Sequence, residues 1–252
     1  MFVEHPVFQK PSDQHAVVWR YLDFTKFVDL LDTTSLFFTR SDKFHDKFEG
    51  SYPSFNVNRR DEVYREIKQN VPAAVFQRMA ETSKSFRRWV AVNCWHLNSH
   101  ESAAMWRLYL KSDEGIAIQS TYSRLESSFL PSGEQIYAGV VKYIDYETEW
   151  MPEGNLFYPF VHKRQSFAHE NELRCVLCRF PKGKVESDPL DFSQETISEG
   201  VSVPVDLSLL IAKIFVAPES PSWLRRLVES VARKYAIDAP IIQSALASEP
   251  VY

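Results

Sequence analysis

The chain has 252 residues and 29.3 kDa, of which 44% are hydrophobic and 25% charged, the make-up of an ordinary globular protein of one large or two small domains. Twenty-nine Lys and Arg against 33 Asp and Glu give a net charge of −4, a poor starting point for gripping nucleic acid through its backbone. Its seven glycines, at positions 50, 115, 133, 139, 154, 183 and 200, form neither GxGxxG nor GxxxxGK[ST], which excludes the Rossmann fingerprint and the Walker phosphate loop.

Trp19–Leu22 reads as a short aromatic strand, and Asp23 then caps a helix whose Phe24, Phe27, Val28, Leu30 and Leu31 recur at helical spacing. Ser35–Thr39 follows as a second strand. Residues 60–88 read as two helices broken at Pro72, part of a helical insertion spanning about 57–88. Trp89–Trp95 alternates as a strand with Val90, Val92 and Cys94 on one face. Ser99 is placed to cap a helix carrying Met105, Trp106 and Tyr109, and Gly115 to end that element before a strand at Ile116–Gln119. Helices are expected at Tyr122–Phe129, Phe157–Phe167 and Pro221–Tyr235. Strands are expected at Ile136–Tyr143, Glu172–Phe180, Val201–Val205 and Lys213–Ala217.

Strands outnumber what a regular βα alternation needs. The pattern therefore predicts one α+β domain over 1–252 with its core at about 18–235, a mixed, mostly antiparallel sheet flanked by helices.

The cysteines Cys94, Cys175 and Cys178 are too few for a disulfide framework. Cys175 and Cys178 have CxxC spacing but sit on a strand, where side chains three apart point to opposite faces and cannot share a metal. No His spacing supports zinc, so a metal-free protein is expected. Met1–Pro6 has no signal-peptide character and no run approaches the ~18 apolar residues of a membrane span, so a cytoplasmic protein with no membrane partner is expected. Residues 57–90 carry eight basic residues against four acidic ones, and residues 185–199 carry five acids and no base. These read as a solvated helix face and a solvated loop.

Three polar clusters interrupt apolar surroundings: Arg20 between two aromatics, the segment Arg40–Glu49, and His169–Arg174. Glu170 and Glu172 share a face if the strand begins by residue 170, which raises the pKa of one and suits acid–base work or stabilisation of a cation. Arg174 continues that face, and plain charge pairing is the alternative role for it and the two glutamates. Asp46 and Glu49 are suited to holding a ribose or a cation, or to capping a turn and neutralising Arg20 or Arg40. Trp106 and Tyr109 are suited to stacking on a ring, or to filling a core. No nucleophile motif is present.

These clusters resemble the bacterial domain-of-unknown-function 2971 family in their order along residues 18–220. The carriers are Trp19-Arg20-Tyr21, Leu36-Phe37-Phe38, Phe44-His45-Asp46-Lys47-Phe48-Glu49, Met105-Trp106 with Tyr109 and Gly115, and Lys163 followed by Glu170, Glu172 and Arg174. His45 stands where the family usually has Asn, and Lys47 where it has Pro. The strand–helix–strand opening with a late Glu-x-Glu is also similar to ADP-ribosyltransferase-type domains. That similarity implies NAD as a possible substrate and makes no cofactor certain. It implies Arg20 on the NAD phosphate or ribose, Thr39 or Ser41 beside the nicotinamide ribose, and Glu172 on the ribose 2′-hydroxyl. The expected site is thus Arg20, Glu170 and Glu172 as catalytic groups, with Arg40, Ser41, Thr39, Asp46, Glu49, Trp106, Tyr109 and Arg174 around a nucleotide or small molecule. A non-catalytic binding or sensing module is the competing expectation, and nucleic-acid binding through the 57–90 helices a third. Oligomeric state is not legible.

Overall fold

The computed structural model describes residues 2–66, 72–110, 113–181, 191 and 193–250. Strand β1 (Val17–Asp23) leads into helix α1 (Phe24–Thr33), because Asp23 accepts the backbone N–H of Lys26 at 2.9 Å and turns the chain into its first helical turn. Phe27, Leu30 and Leu31 form the buried stripe of α1, and strand β2 (Ser35–Arg40) follows at once. Helices α2 (Ser54–Glu66) and α3 (Ala73–Phe86) come next, with Pro72 at the cap position of α3, where its missing N–H costs nothing. The helical insertion therefore begins a few residues before the expected position 57.

Strand β3 (Val90–Leu97), helix α4 (Ala103–Tyr109), strand β4 (Gly115–Thr121) and helix α5 (Tyr122–Ser128) continue the chain. Strands β5 (Tyr137–Val140), β6 (Lys142–Ile144), β7 (His162–Arg164), β8 (Glu172–Cys178) and β9 (Gly200–Pro204) come next. Helix α6 (Leu207–Leu210), strand β10 (Lys213–Val216), helix α7 (Ser222–Lys234) and strand β11 (Ile241–Gln243) complete the order. Among the described residues, nine strands make one mixed, mostly antiparallel sheet in an α+β fold, in which β10 and β11 alone of the strands pair in parallel. Strands β6 and β7 form a separate parallel pair.

Several expected elements differ. Ser102, not Ser99, caps α4, accepting from the N–H of Met105. Gly115 does not end that helix but opens β4, paired with Asp23, and a Cβ there would meet the Leu110 side chain. Ile136–Tyr143 is two strands in two sheets, split at Val141, whose N–H turns to the Glu172 carbonyl. Phe157–Phe167 is not a helix. It is a turn at Tyr158–Phe160, strand β7, and a second turn at Gln165–Glu170. The expected acidic loop lies partly outside the described residues, and its described part is not simply solvated: Glu195 pairs with Arg40 and Glu199 with Lys43. Arg60, in the basic stretch, is buried against Glu153 at 2.8 Å.

The sheet's main core is built on α1, α5 and α7 and includes Val18, Phe27, Trp95, Ile118, Leu173 and Val228. The opposite face carries a second cluster around Trp89, Val90, Val92 and Phe160. Cys175 lies in the first cluster and Cys178 packs on the second, so the two thiols of the CxxC face opposite ways.

One departure from regular pairing positions everything that follows. Strand β8 pairs with β3 along its whole length, from Val90↔Cys178 to His96↔Glu172. The other edge of β3 is shared: β2 pairs only at Ala91 and Val92, and β1 only at His96 and Leu97. Strands β1 and β2, both antiparallel to β3, therefore run parallel to each other and splay apart over Asn93–Trp95. Side chains satisfy the backbone there, as an unpaired strand edge requires: Arg20 donates to the Cys94 carbonyl at 2.8 Å, and the Asn93 amide donates to the Phe37 carbonyl at 2.9 Å.

Where β9 closes the sheet on β2, a Cβ on Gly200 would lie 2.3 Å from the Phe38 carbonyl oxygen and 2.4 Å from the Phe37 ring. Gly200→Ala is expected to push β9 off β2 and cost about 1–3 kcal/mol. Chemical denaturation checks it, through a lower midpoint with an unchanged slope.

Candidate functional site

The gap between β1 and β2 opens into a cleft of about 620 Å³. This is within the size of small-molecule sites. Of the residues expected at the site, Arg20, Thr39, Asp46, Glu49, Tyr109, Glu170 and Glu172 line it. Arg40, Ser41, Trp106 and Arg174 do not. Arg40 is buried away from the cleft against Asp42, Glu195 and the Ile197 carbonyl. The Ser41 hydroxyl is fully buried and donates to the Arg87 carbonyl. Trp106 donates to Glu101, packs edge-on against Tyr21, and faces a second hollow on the far side of α4.

Arg174 is fully buried and reaches Glu49 with two parallel hydrogen bonds, 2.5 and 2.9 Å, and Glu172 with its Nε at 2.6 Å. It also donates to the Phe160 carbonyl at 3.0 Å. Glu49 is thereby committed to Arg174, and its neighbour Gly50 allows the approach: at φ +67°, a Cβ there would sit 2.7 Å from the Phe160 ring. Asp46 caps its own turn through the Phe48 N–H and pairs with Arg164 at 2.7 Å, so it neutralises neither Arg20 nor Arg40.

Glu170 and Glu172 are brought together differently from the expected strand face. Strand β8 starts only at Glu172, Glu170 ends a turn, and Asn171 between them has left-handed backbone with φ +37°. Asn tolerates that conformation. The bridge is Lys163, whose ammonium donates to Glu170 and, at 2.7 Å, to Glu172. Lys163 lies within the segment expected to be helical, where a lysine suggests a solvated face. Only the tertiary fold shows it buried between two carboxylates.

Environment separates the two carboxyls. Burial and a hydrogen bond with Glu172 push the Glu170 pKa up to about 8. Burial would raise Glu172 too, but Arg174, the Glu170 hydrogen bond and Lys163 outweigh it and hold Glu172 well below the usual carboxylate range. Lys163 stays charged: burial lowers its pKa, but Glu172 and Glu170 more than compensate. A buried set of three carboxyls and two cations thus reaches neutrality by keeping one proton on Glu170, the member nearest the cleft.

Across the cleft, Arg20 is partly buried with its guanidinium 6.0 Å from the Trp95 ring. Burial pulls its pKa down, yet Arg20 makes no ion pair among the described residues, and its one hydrogen bond goes to Cys94. The remaining N–H donors of its fork are available to an anion. The Thr39 hydroxyl also lines the cleft with no hydrogen-bond partner among the described residues. Tyr109, 44% exposed, overhangs the mouth, its hydroxyl within the fields of Glu170, Glu172 and Arg20. Cys94 lines the floor, and burial, with Glu172 beside it, pushes its thiol well above the normal range, which disfavours the thiolate.

His96 was not singled out in the sequence. Its Nδ1 faces the Glu170 carbonyl at 2.6 Å and therefore carries the proton, leaving Nε2 to accept from Asn98.

No protein family, characterised protein or solved structure matches the chain, so the geometry alone carries the functional reading.

Removing one partner of the buried pair leaves an uncompensated charge, so Arg174→Met is expected to lose about 3–5 kcal/mol of stability, measured by denaturant unfolding. Glu170 binds its proton more tightly folded than unfolded. Its contribution to stability is complete below about pH 4.5 and is lost as pH rises through about 8. Glu172 contributes in the opposite sense, and its share is lost only in strong acid. Glu170→Gln is expected to flatten the fall in melting temperature between pH 5 and 9 that the native protein shows in thermal scans.

Proposed function

We propose that the cleft binds NAD or a related nucleotide and catalyses transfer of its ADP-ribosyl group, in the manner of ADP-ribosyltransferase-type domains. The observation that supports this most is Arg20, a cation with no counter-ion among the described residues, in a cleft where Asp23, Asp46, Glu49 and Glu172 are each paired with another cation. A pyrophosphate is the anion that a planar guanidinium fork with free donors suits. Thr39, on the neighbouring strand, offers its hydroxyl to the nicotinamide ribose. The NAD phosphates are held by side chains, in keeping with a chain that has no glycine-rich loop.

In the reaction, the oxygen of an acceptor hydroxyl or water bonds to the ribose C1′ as the bond from C1′ to the nicotinamide nitrogen breaks. The electron pair of that bond goes to the ring nitrogen, giving neutral nicotinamide. Positive charge builds on the ribose in between, and the ionised Glu172 stabilises it from a fixed position. Both Glu172 oxygens already accept from Lys163 or Arg174, so its remaining lone pairs take the ribose 2′-hydroxyl. Glu170 takes the acceptor's proton, and a pKa near 8 suits a group that exchanges protons near neutrality.

The folded protein is expected to bind ADP-ribose in calorimetry and to release nicotinamide from NAD. Arg20→Ala should weaken binding roughly tenfold to a hundredfold, the worth of a charge-assisted hydrogen-bond pair. Nicotinamide release should rise with pH through about 8, as Glu170 must be ionised to act as base. Folded protein that neither binds NAD nor releases nicotinamide overturns the proposal.

The burial of Glu49, Arg174 and Glu172 as mutual partners favours, as a second reading, a binding module whose glutamates are structural. That reading requires Glu172→Gln to lower the melting temperature while nucleotide binding survives.

A further inference from the structure

We propose that Lys163 is a positioning residue of this site, one that holds Glu170 and Glu172 side by side through its ammonium while touching no ligand itself. The inference rests on the reading of the cleft as a site that acts on NAD.

An ammonium has three N–H donors and no acceptor. One goes to Glu170, one to Glu172 at 2.7 Å, and the third side faces the Phe167 ring, with Nζ 4.6 Å from its centre. Nothing is left for a phosphate or a hydroxyl, although Lys163 lies at the wall of the cleft. Its role must then be exerted on the two carboxyls.

The backbone does not place these carboxyls by itself. Glu170 closes one turn, Asn171 reverses the chain, and Glu172 opens β8, so no regular spacing sets their separation. Lys163 supplies the fixed point. It sits on β7, anchored by the pairing of Tyr143 with Lys163 in the β6–β7 ladder. Its neighbours His162 and Arg164 are tied elsewhere, to the Tyr158 carbonyl and to Asp46. Two adjacent carboxyls without it would repel, and either one turns away or one holds its proton more tightly.

Side-chain exposure grades along this chain of charges from 0% at Arg174 through 4% at Glu172 and 8% at Lys163 to 12% at Glu170. Lys163 is thus the link that carries the fixed interior geometry out to the carboxyl at the cleft. Besides Lys163 and Glu172, the groups facing Glu170 are Tyr143 from β6, Tyr109 from α4 and His96 from β3, with Arg20 of β1 across the cleft beside Tyr109. Of these, Lys163 alone donates from a full charge to Glu170.

Two measurements test this. Carbon-13 NMR titration of glutamate-labelled protein follows the Glu170 carboxyl, assigned with Glu170→Gln. Nicotinamide release from NAD is followed against pH. Lys163→Met is expected to raise the Glu170 midpoint by about one unit or more, the shift a lost opposite charge produces. The pH profile of release should move up with it, giving about tenfold less turnover at pH 7 with the KM for NAD little changed. Lys163→Arg, which keeps the charge, should restore most of both. Should Lys163→Met fail to fold, Lys163→Gln, which keeps two donors without charge, is measured in the same way.

An unmoved Glu170 midpoint in the folded neutral variant overturns the inference. So does a KM raised tenfold with an unmoved pH profile, which would make Lys163 a ligand contact. If the native protein releases no nicotinamide, the reading of the cleft fails, while the NMR titration still decides the role of Lys163.

Discussion

A guanidinium with no exposed surface has to be matched by carboxylates, and Arg174 meets that demand with Glu49, 125 residues away in sequence, and Glu172, two residues away. The match dictates much of the surrounding structure. Glu49 reaches Arg174 only because the chain turns at Gly50 with positive φ, tight against Phe160, whose carbonyl accepts a further hydrogen bond from the same guanidinium. The segment after β2, the turn before β7 and the start of β8 are thus pinned to one buried cation. An apolar trio of similar volume would serve stability as well or better. What the ionic version adds is a fixed carboxylate, Glu172, whose charge is secured from behind and whose direction is set by Arg174 and Lys163.

The splayed strands give that carboxylate something to face. Had β1 alone paired along the whole of that edge of β3, Arg20 would occupy a core position, because its i±2 neighbours Val18 and Leu22 belong to the main hydrophobic cluster. The split exposes it to a cavity instead, and the unpaired edge of β3 supplies the carbonyl that holds it. Burial lowers the pKa of Arg20, whereas Arg174, flanked by two carboxylates, is held well above the ordinary value. The two arginines therefore differ in kind: Arg174 is neutralised within the structure, and Arg20 has no counter-ion among the described residues.

Much of the fold was legible because local signals agreed with tertiary demands. Asp23, the stripe of α1 and the aromatic run of β2 each announce one conformation, and the structure uses all three. The misreadings lie where tertiary packing overrides period. Phe157, Phe160, Val161 and Phe167 recur at near-helical intervals, yet two turns and a three-residue strand send the first three into the cluster with Val176 of β8 and leave Phe167 against Lys163, which reaches Glu172. Trp106 and Tyr109, three apart on one helix, are both suited by type to stack on a ring or fill a core, but α4 lies between two cavities, with Tyr109 lining one and Trp106 the other. Charged residues in apolar surroundings did mark the neighbourhood of the site. Sequence could not distinguish the arginine that is neutralised from the one that is not, because that depends on which strands pair.

The scarcity of glycine acquires a structural counterpart in the split. A glycine-rich loop binds phosphate by presenting backbone N–H groups that are free because no Cβ crowds them. Here the strand edge at Asn93–Trp95, paired with neither β1 nor β2, presents the Cys94 carbonyl, which repels phosphate and attracts a cation. That carbonyl recruits Arg20, and Arg20 inverts the sign of the surface from acceptor to donor. A cation presented this way depends on a single side chain and on the splay that exposes it. It uses no glycine-rich loop, and Gly50, the glycine beside the site, serves the buried pairing of Glu49 with Arg174 instead.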